Sequence, residues 1–162
     1  MNTVYLLLGS NQGDRADSIN KACLSIEKNI GKIVNQSLLY ESEAWGFVSD
    51  NFINQVLCVE TELMPTQILE LIFRIETDAG RKRINNDIYE TRPLDIDILF
   101  YNNLIVCTKA LTIPHPCLHK RLFTLMPLAE IAADFIHPVL KVTIQQLLDE
   151  NQDSLKVWIY AM

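Results

Sequence analysis

Residues 92–101 read Arg92-Pro93-Leu94-Asp95-Ile96-Asp97-Ile98-Leu99-Phe100-Tyr101. Side chains alternate along an extended chain, so Leu94, Ile96, Ile98 and Phe100 are expected on one face of a strand over 94–101, and Asp95 and Asp97 on the other. This strand closes the run of elements that decides the fold. Upstream, TVYLLL (3–8) is apolar on both faces and ends at Gly9-Ser10-Asn11, which predicts a buried strand and a turn. Ile19, Ala22, Cys23, Ile26 and Ile30 then recur at helical spacing, with Gly31 as the stop. IVNQSLLYES (33–42) and FINQVLCVET (52–61) read as two strands, joined by a loop holding Ala44-Trp45-Gly46-Phe47. Pro65 suits a first helical turn, and Ile68, Leu71, Ile72, Ile75 and Ala79 form a second apolar stripe closed by Gly80. The order β-α-β-β-α-β is two split βαβ units, so the expected class is α+β, a ferredoxin-like sandwich.

Smaller pieces follow. Residues 104–106 and 111–113 are expected to pair as a short extra hairpin, Pro127 to start a helical pattern through Ala132, and Thr143 with Gln146 to form a capping box ahead of Leu147 and Leu148. Residues 155–160 fit either a strand or a loosely packed tail. A chain of 162 residues with 49% apolar content fits a single domain over 1–162 with a core that needs no disulfide or structural metal. Cys23, Cys58, Cys107 and Cys117 form no C-x-x-C pair and are read as reduced thiols. No apolar run is long enough for a signal peptide or a membrane span, so a cytoplasmic, non-membrane protein is expected. With no long apolar stripe left over, a monomer is expected.

Net charge is −6, which argues against a nucleic-acid binder with a broad basic face. Residues 81–121 nevertheless hold seven Lys or Arg against four acids, so a local anion site on an acidic protein is indicated. Asp95 and Asp97 should lie about 7 Å apart on their face, and two such carboxylates repel unless a cation neutralises them. A lone Asp on a strand is usually a solvated surface residue; a pair inside an otherwise apolar strand suits Mg²⁺, which takes one or two carboxylates and completes its shell with water and phosphate. Arg81, Arg83, Arg92 and Arg121 supply the guanidinium groups that a triphosphate requires, although a GRKR run by itself is more often a solvated loop. His115 is held between Pro114 and Pro116. Phe52 and Asn54 share one strand face and Phe123 lies two residues past Arg121, an aromatic and amide set suited equally to a flat heterocycle or to a core. There is no P-loop, protein-kinase signature, dinucleotide fingerprint or nucleophile elbow.

Taken together, LGSNQGD, the FIN strand, RIE followed by GRKR, R-x-LDIDILFY and LTIPHP-x-LHKR-x-F closely resemble the 6-hydroxymethyl-7,8-dihydropterin pyrophosphokinase family of folate biosynthesis over residues 1–150. The resemblance implies a ferredoxin-like core and transfer of the β,γ-pyrophosphoryl group of ATP to the pterin hydroxymethyl oxygen, with release of AMP. It implies Asp95 and Asp97 as ligands of two Mg²⁺ ions. Glu76, Arg81, Arg83, Arg92, Ile98, Lys109, Thr112, His115 and Arg121 match ATP-binding positions, and Ser42, Ala44, Trp45, Phe52, Asn54, Asp95 and Phe123 the pterin pocket. Arg83, Arg92 and Asp97 are the implied catalytic residues. Phe52 stands where better-known members often have Tyr, Ser42-Glu43-Ala44-Trp45-Gly46 replaces a Thr-Pro-Pro-Leu-Gly type of loop, and Tyr89 stands near a usual Trp. The loop 82–91 is about one residue longer, and Lys109 takes the place of a nearby family Arg.

Metals that align the triphosphate and arginines that neutralise charge as AMP departs would carry the reaction, with loops 43–51 and 82–91 closing over ATP. Two rivals use similar residues: a palm-like nucleotidyltransferase or cyclase, which releases pyrophosphate instead of AMP, and a non-catalytic ferredoxin-like RNA-binding or sensing module, which leaves the Asp pair unexplained. If Arg83 and Arg92 act in the transition state, replacing either by Ala lowers turnover far more than ATP affinity. Steady-state kinetics beside an ATP titration checks this, and equal losses in both would mean ground-state binding.

Overall fold

Strand β1 (Asn2–Ser10) is hydrogen-bonded on both edges, antiparallel to β4 (Phe52–Thr61) on one side and to β5 (Asp95–Tyr101) on the other. Its apolar run explains the position: Val4, Leu6 and Leu8 are fully buried on one face and Leu7 is buried on the other. The computed structural model describes residues 1–46, 48–81 and 92–161. Outward from β4 lie β2 (Lys32–Gln36) and β3 (Tyr40–Ser42), both paired with it, and then β8 (Val157–Ile159), giving the order β5-β1-β4-β3-β8 with every pairing antiparallel. Helices α1 (Arg15–Asn29) and α2 (Pro65–Asp78) cover one face through Ile19, Ala22, Ile26, Ile68 and Ile72. Helices α3 (Leu122–Ala132) and α4 (Ile144–Asp149) cover the other, closing a second core around Leu7, Val56, Leu99, Phe100, Leu125 and Leu128. The β-α-β-β-α-β core is as expected, and the C-terminal helices make it a three-layer fold.

Local chemistry sets the helix ends. Asp14 caps α1, its carboxylate accepting from Asp17 N at 3.1 Å, and Pro65 opens α2. Thr143 and Gln146 form the expected capping box at α4.

Four details differ from the sequence reading. The strand expected over 33–42 is two strands, because Ser37 interrupts it: its N–H donates to Val56 O, and its Oγ accepts from Val56 N at 3.0 Å. Pairing then passes from Gln36 with Leu57 to Tyr40 with Asn54, an extra residue on this edge. Phe100 does not share a face with Ile96 and Ile98. Between the pairs Leu6–Ile98 and Tyr5–Phe100 the register gains a residue on β5, and this bulge at Leu99 turns Phe100 into the second core with Leu99. The short hairpin pairs β6 (Val106–Cys107) with β7 (Thr112–Ile113), later than the expected 104–106 and 111–113. Helix α3 starts at Leu122 and carries Pro127 inside it, because Thr124 N and Leu125 N already bond to Arg121 O and burial of Leu125 and Leu128 holds the turn. Of the two states left open for 155–160, residues 157–159 take the strand, β8.

The turn from α1 into β2 is packed against the end of β4: Thr61 Oγ1 donates to Ile30 O at 2.6 Å, and a Cβ on Gly31 would collide with the Glu60 carbonyl. Gly31→Ala is expected to destabilise the protein by about 2 kcal/mol through forced backbone displacement. Urea denaturation measures this directly.

Candidate active site

Arg92 and Pro93 deliver the chain to β5, where Ile96 and Ile98 enter the core and Asp95 and Asp97 emerge on the opposite face. The pair is set among cations. Arg81, just past the end of α2, puts its Nη1 2.8 Å from Asp95 Oδ1 and also pairs with the Glu76 carboxylate. Arg92 Nη1 lies 3.1 Å from Asp95 Oδ2. Glu76 is only 2% exposed, and its Oε2 accepts the Ile96 N–H at 3.0 Å, so the last turn of α2 is tied to the strand that carries the acids. Burial, and then the neighbouring Asp95 charge, push the Asp97 carboxyl up to about 8, against an opposing pull from Arg121. Two crowded acids of this kind are the donor set that a hard divalent cation satisfies. Among the described residues no group of three or more His, Cys, Asp or Glu could hold a metal. An ion held by Asp95 and Asp97 would complete its shell with water or with oxygens of a bound anion.

His115 Nε2 lies 3.8 Å from Asp97 Oδ2. Its Nδ1 accepts the Cys117 N–H at 3.1 Å, which leaves the proton of the neutral ring on Nε2. Burial, with the Arg121 charge second, pushes its pKa down to about 4, so at neutral pH it is an N–H donor, not a cation.

Two cavities meet on the acidic strand. Glu76, Arg81, Ile98, Lys109, Thr112 and His115 line one. Ser42, Trp45, Phe52, Asn54, Arg121 and Phe123 line the other, with Leu7, Gly9 and Glu43. Arg92, Asp95 and Asp97 line both. The structure thus brings the sequence-predicted residues together in two groups. Arg121 lies with the second group: its guanidinium stands 4.5 Å from the Trp45 ring centroid and 5.6 Å from that of Phe123. Asn54 donates from Nδ2 to Ser42 Oγ at 2.9 Å, and Ala44 is buried beside this pair in sequence without lining the cavity. Arg83, with the rest of the loop 82–91, lies outside the described residues.

Asn11 and Gly9, quoted from the sequence only within the turn after β1 and the LGSNQGD motif, were given no site role there. Asn11 is 2% exposed, and its Oδ1 accepts Arg92 N at 2.6 Å while its N–H donates to Arg92 O. Its Nδ2 donates to Ser49 Oγ at 3.0 Å, so one amide joins the loop 43–51 to the residue that precedes the acidic strand. At Gly9 a Cβ would come 3.2 Å from Asn54 Oδ1, so a side chain there would crowd the amide of the second cavity. Their sequence signals were the turn after β1 and their place in the LGSNQGD motif, neither of which assigned a role to either side chain.

An α+β sandwich with an acid pair shared between a cation-lined cleft and an aromatic, amide-bearing pocket defines a two-substrate enzyme that handles an anionic group. The family model for 7,8-dihydro-6-hydroxymethylpterin-pyrophosphokinase (HPPK) matches residues 5–133. The 2-amino-4-hydroxy-6-hydroxymethyldihydropteridine pyrophosphokinase of Aquifex aeolicus is 43% identical over 152 residues, covering 93% of each chain. The enzyme of that name from Porphyromonas gingivalis is 39% identical over 141 residues, 85% of this chain and 95% of its own. Among solved structures, wild-type Plasmodium falciparum HPPK-DHPS with pteroate superposes with a TM-score of 0.74 at 21% identity, over 92% of this chain and 42% of that longer one. The chain belongs to the HPPK family. Its activity is pyrophosphoryl transfer to hydroxymethyldihydropterin in folate biosynthesis, with ATP as co-substrate. No helix among the described residues is long and apolar enough to cross a membrane.

The acid pair has a pH signature. Asp97 holds its proton more tightly folded than unfolded, so it costs stability as pH rises from about 4 to about 8. His115 is displaced the other way, so it adds stability as pH rises from about 4 through its ordinary value of 6.5 and nothing further above that. The two oppose each other at acid pH, and only Asp97 acts above about pH 7. Thermal unfolding in EDTA is therefore expected to show falling stability between about pH 7 and 8, a fall that Asp97→Asn abolishes.

Proposed function

We propose that Asp95 and Asp97 hold two Mg²⁺ ions and that the cation-lined cleft takes ATP while the aromatic pocket takes 6-hydroxymethyl-7,8-dihydropterin. The observation that carries this reading is that Arg92, Asp95 and Asp97 line both cavities, so the transferred group passes between substrates without leaving their reach. The bond formed joins the pterin hydroxymethyl oxygen to the β-phosphorus of ATP. The bond broken is that between the β-phosphorus and the oxygen bridging to the α-phosphate, so AMP leaves with that oxygen and the hydroxyl proton is released to water. Bound metal supplies charge neutralisation on the triphosphate and alignment of its reacting phosphorus.

The chain's own groups do the rest. Arg81 and Arg92, already paired with Asp95, stand beside the acids where phosphate charge must be met. His115 contributes a neutral Nε2–H donor next to Asp97. Arg83 is assigned to the phosphates by its motif alone. Thr112, Lys109, Ile98 and Glu76 shape the nucleotide cleft. In the other cavity Phe123 and Phe52 offer faces for a flat ring, and Asn54, oriented by Ser42, offers an amide to its polar edge. The chain acts as a single pyrophosphokinase domain and as a monomer.

The purified protein with ATP, Mg²⁺ and 6-hydroxymethyl-7,8-dihydropterin is expected to yield AMP and the pterin pyrophosphate, resolved by chromatography. Asp97→Ala should lower the rate by about 10²–10³-fold, the scale of losing one electrostatic stabiliser of a transferring group. Release of pyrophosphate instead of AMP would identify a nucleotidyltransferase. AMP formation that proceeds unchanged in EDTA would remove the metal from the proposal.

A further inference from the structure

We propose that residues 151–160 brace the pterin pocket from outside, with Asp153 as the positioning residue that fixes one wall against the other. The proposal rests on the assignment of that pocket to the pterin. The pocket has two walls built from distant parts of the chain: Ser42, Glu43 and Trp45 on one side, and Arg121 and Phe123 on the other. The C-terminal segment is bonded to both.

At the second wall it holds the backbone on either side of Arg121. Asn151 Nδ2 donates to His119 O at 3.4 Å, and Asp153 Oδ2 accepts the Leu122 N–H at 3.1 Å. Leu122 is the first residue of α3, so this carboxylate satisfies a helix N–H that has no partner within the helix, at the end where negative charge is favoured. Leu122 stands between Arg121 and Phe123, so the anchored peptide sets where both side chains leave the backbone. Asp153 Oδ1 accepts Leu155 N at 3.0 Å, and Asp153 N donates to Asn151 Oδ1 at 2.9 Å, which stiffens the segment as it turns away.

At the first wall the same segment becomes β8. Lys156 N donates to Glu43 Oε1 at 2.9 Å and Lys156 O accepts Glu43 N at 3.3 Å. Val157 pairs with Ser42, and Tyr160 N reaches Leu39 O at 2.8 Å. The Arg121 guanidinium spans the gap itself, stacked 4.5 Å from the Trp45 centroid. A flat ring entering this pocket meets a slot whose width is set by the brace. The segment lines neither cavity, but its bonds reach Glu43, Ser42 and the peptide between Arg121 and Phe123, which belong to the walls of the aromatic pocket and not to the cleft lined by Glu76, Lys109, Thr112 and His115.

The test compares wild type, Asp153→Ala and Asp153→Asn in the full chain, measuring KM for pterin, KM for ATP, kcat and thermal midpoint. Asp153→Ala loses both acceptors and is expected to raise the pterin KM about tenfold, the factor supplied by a lost charge-assisted hydrogen bond, with the ATP KM within about twofold of wild type. Asp153→Asn keeps one oxygen acceptor and should fall between them; if the Ala variant does not fold, the Asn variant carries the comparison. An unchanged pterin KM overturns the brace. So does an equal rise in both KM values that follows a lowered thermal midpoint, because that is a general loss of structure. A wild-type protein that makes no AMP overturns the pyrophosphokinase reading first, and the brace with it, whereas an active wild type with an unaffected Asp153→Ala overturns the brace alone.

Discussion

Two like charges two residues apart on one strand are the constraint around which this site is organised. Asp95 and Asp97 cannot both stay ionised and partly buried without nearby positive charge, and the fold brings it from two directions. Arg92 comes from the residues just before the strand, and Arg81 from the end of α2, where it is shared with buried Glu76. Because Glu76 also accepts the Ile96 N–H, the helix that carries Arg81 is fastened to the strand that carries the acids. Helix packing and charge balance are therefore coupled: α2 settles on the sheet through Ile68, Ile72 and Ile75, and in doing so places the cation. Burial first, and the Asp95 charge second, leave Asp97 with a raised affinity for a proton, and two crowded carboxylates of this kind suit a divalent cation.

The acid strand also separates the two cavities. It runs beside β1 at the point where Gly9 leaves room for Asn54, so the aromatic pocket opens directly beside the carboxylates. The other cavity opens on the side of β7 and the segment around His115, whose N–H bonds Leu99 O on β5. A shared edge of this kind can turn an encounter of two solutes into a step between held groups, one of the two main contributions to phosphoryl-type transfer beside charge stabilisation. Asn11 keeps that edge in register by holding both polar groups of the Arg92 backbone.

Much of the architecture could be read from residue order. The two apolar helical stripes, the strands 52–61 and 94–101, the Asp pair and the capping box at Thr143 all have strong local signals, and they reappear at or near their expected bounds. The misreadings share one cause, the influence of a neighbour in space. Periodicity placed Phe100 with Ile98, but the fit of β5 to β1 inserts a bulge and moves it to the other core. Pro127 looked like a helix start, yet burial of Leu125 and Leu128 carries the helix past it. Ser37 broke a strand whose composition looked continuous, because its hydroxyl serves the β4 backbone. The choice left open at 155–160 was decided in the same way, by the pairing of 157–159 with β3.

The sequence by itself determined the element order, the alternation that sets Asp95 and Asp97 on one face, and the supply of arginines and aromatics, because these follow from side-chain period and residue chemistry over short spans. Only the tertiary structure decided that Arg92 and the two acids border both cavities, that Arg121 stacks on Trp45 and Phe123, and that residues 151–160 tie the two pocket walls together. Those relations join residues as distant in sequence as Glu43 and Lys156, 113 positions apart, and beyond, and no local pattern carries a contact whose partner is chosen by the packing of the whole sheet.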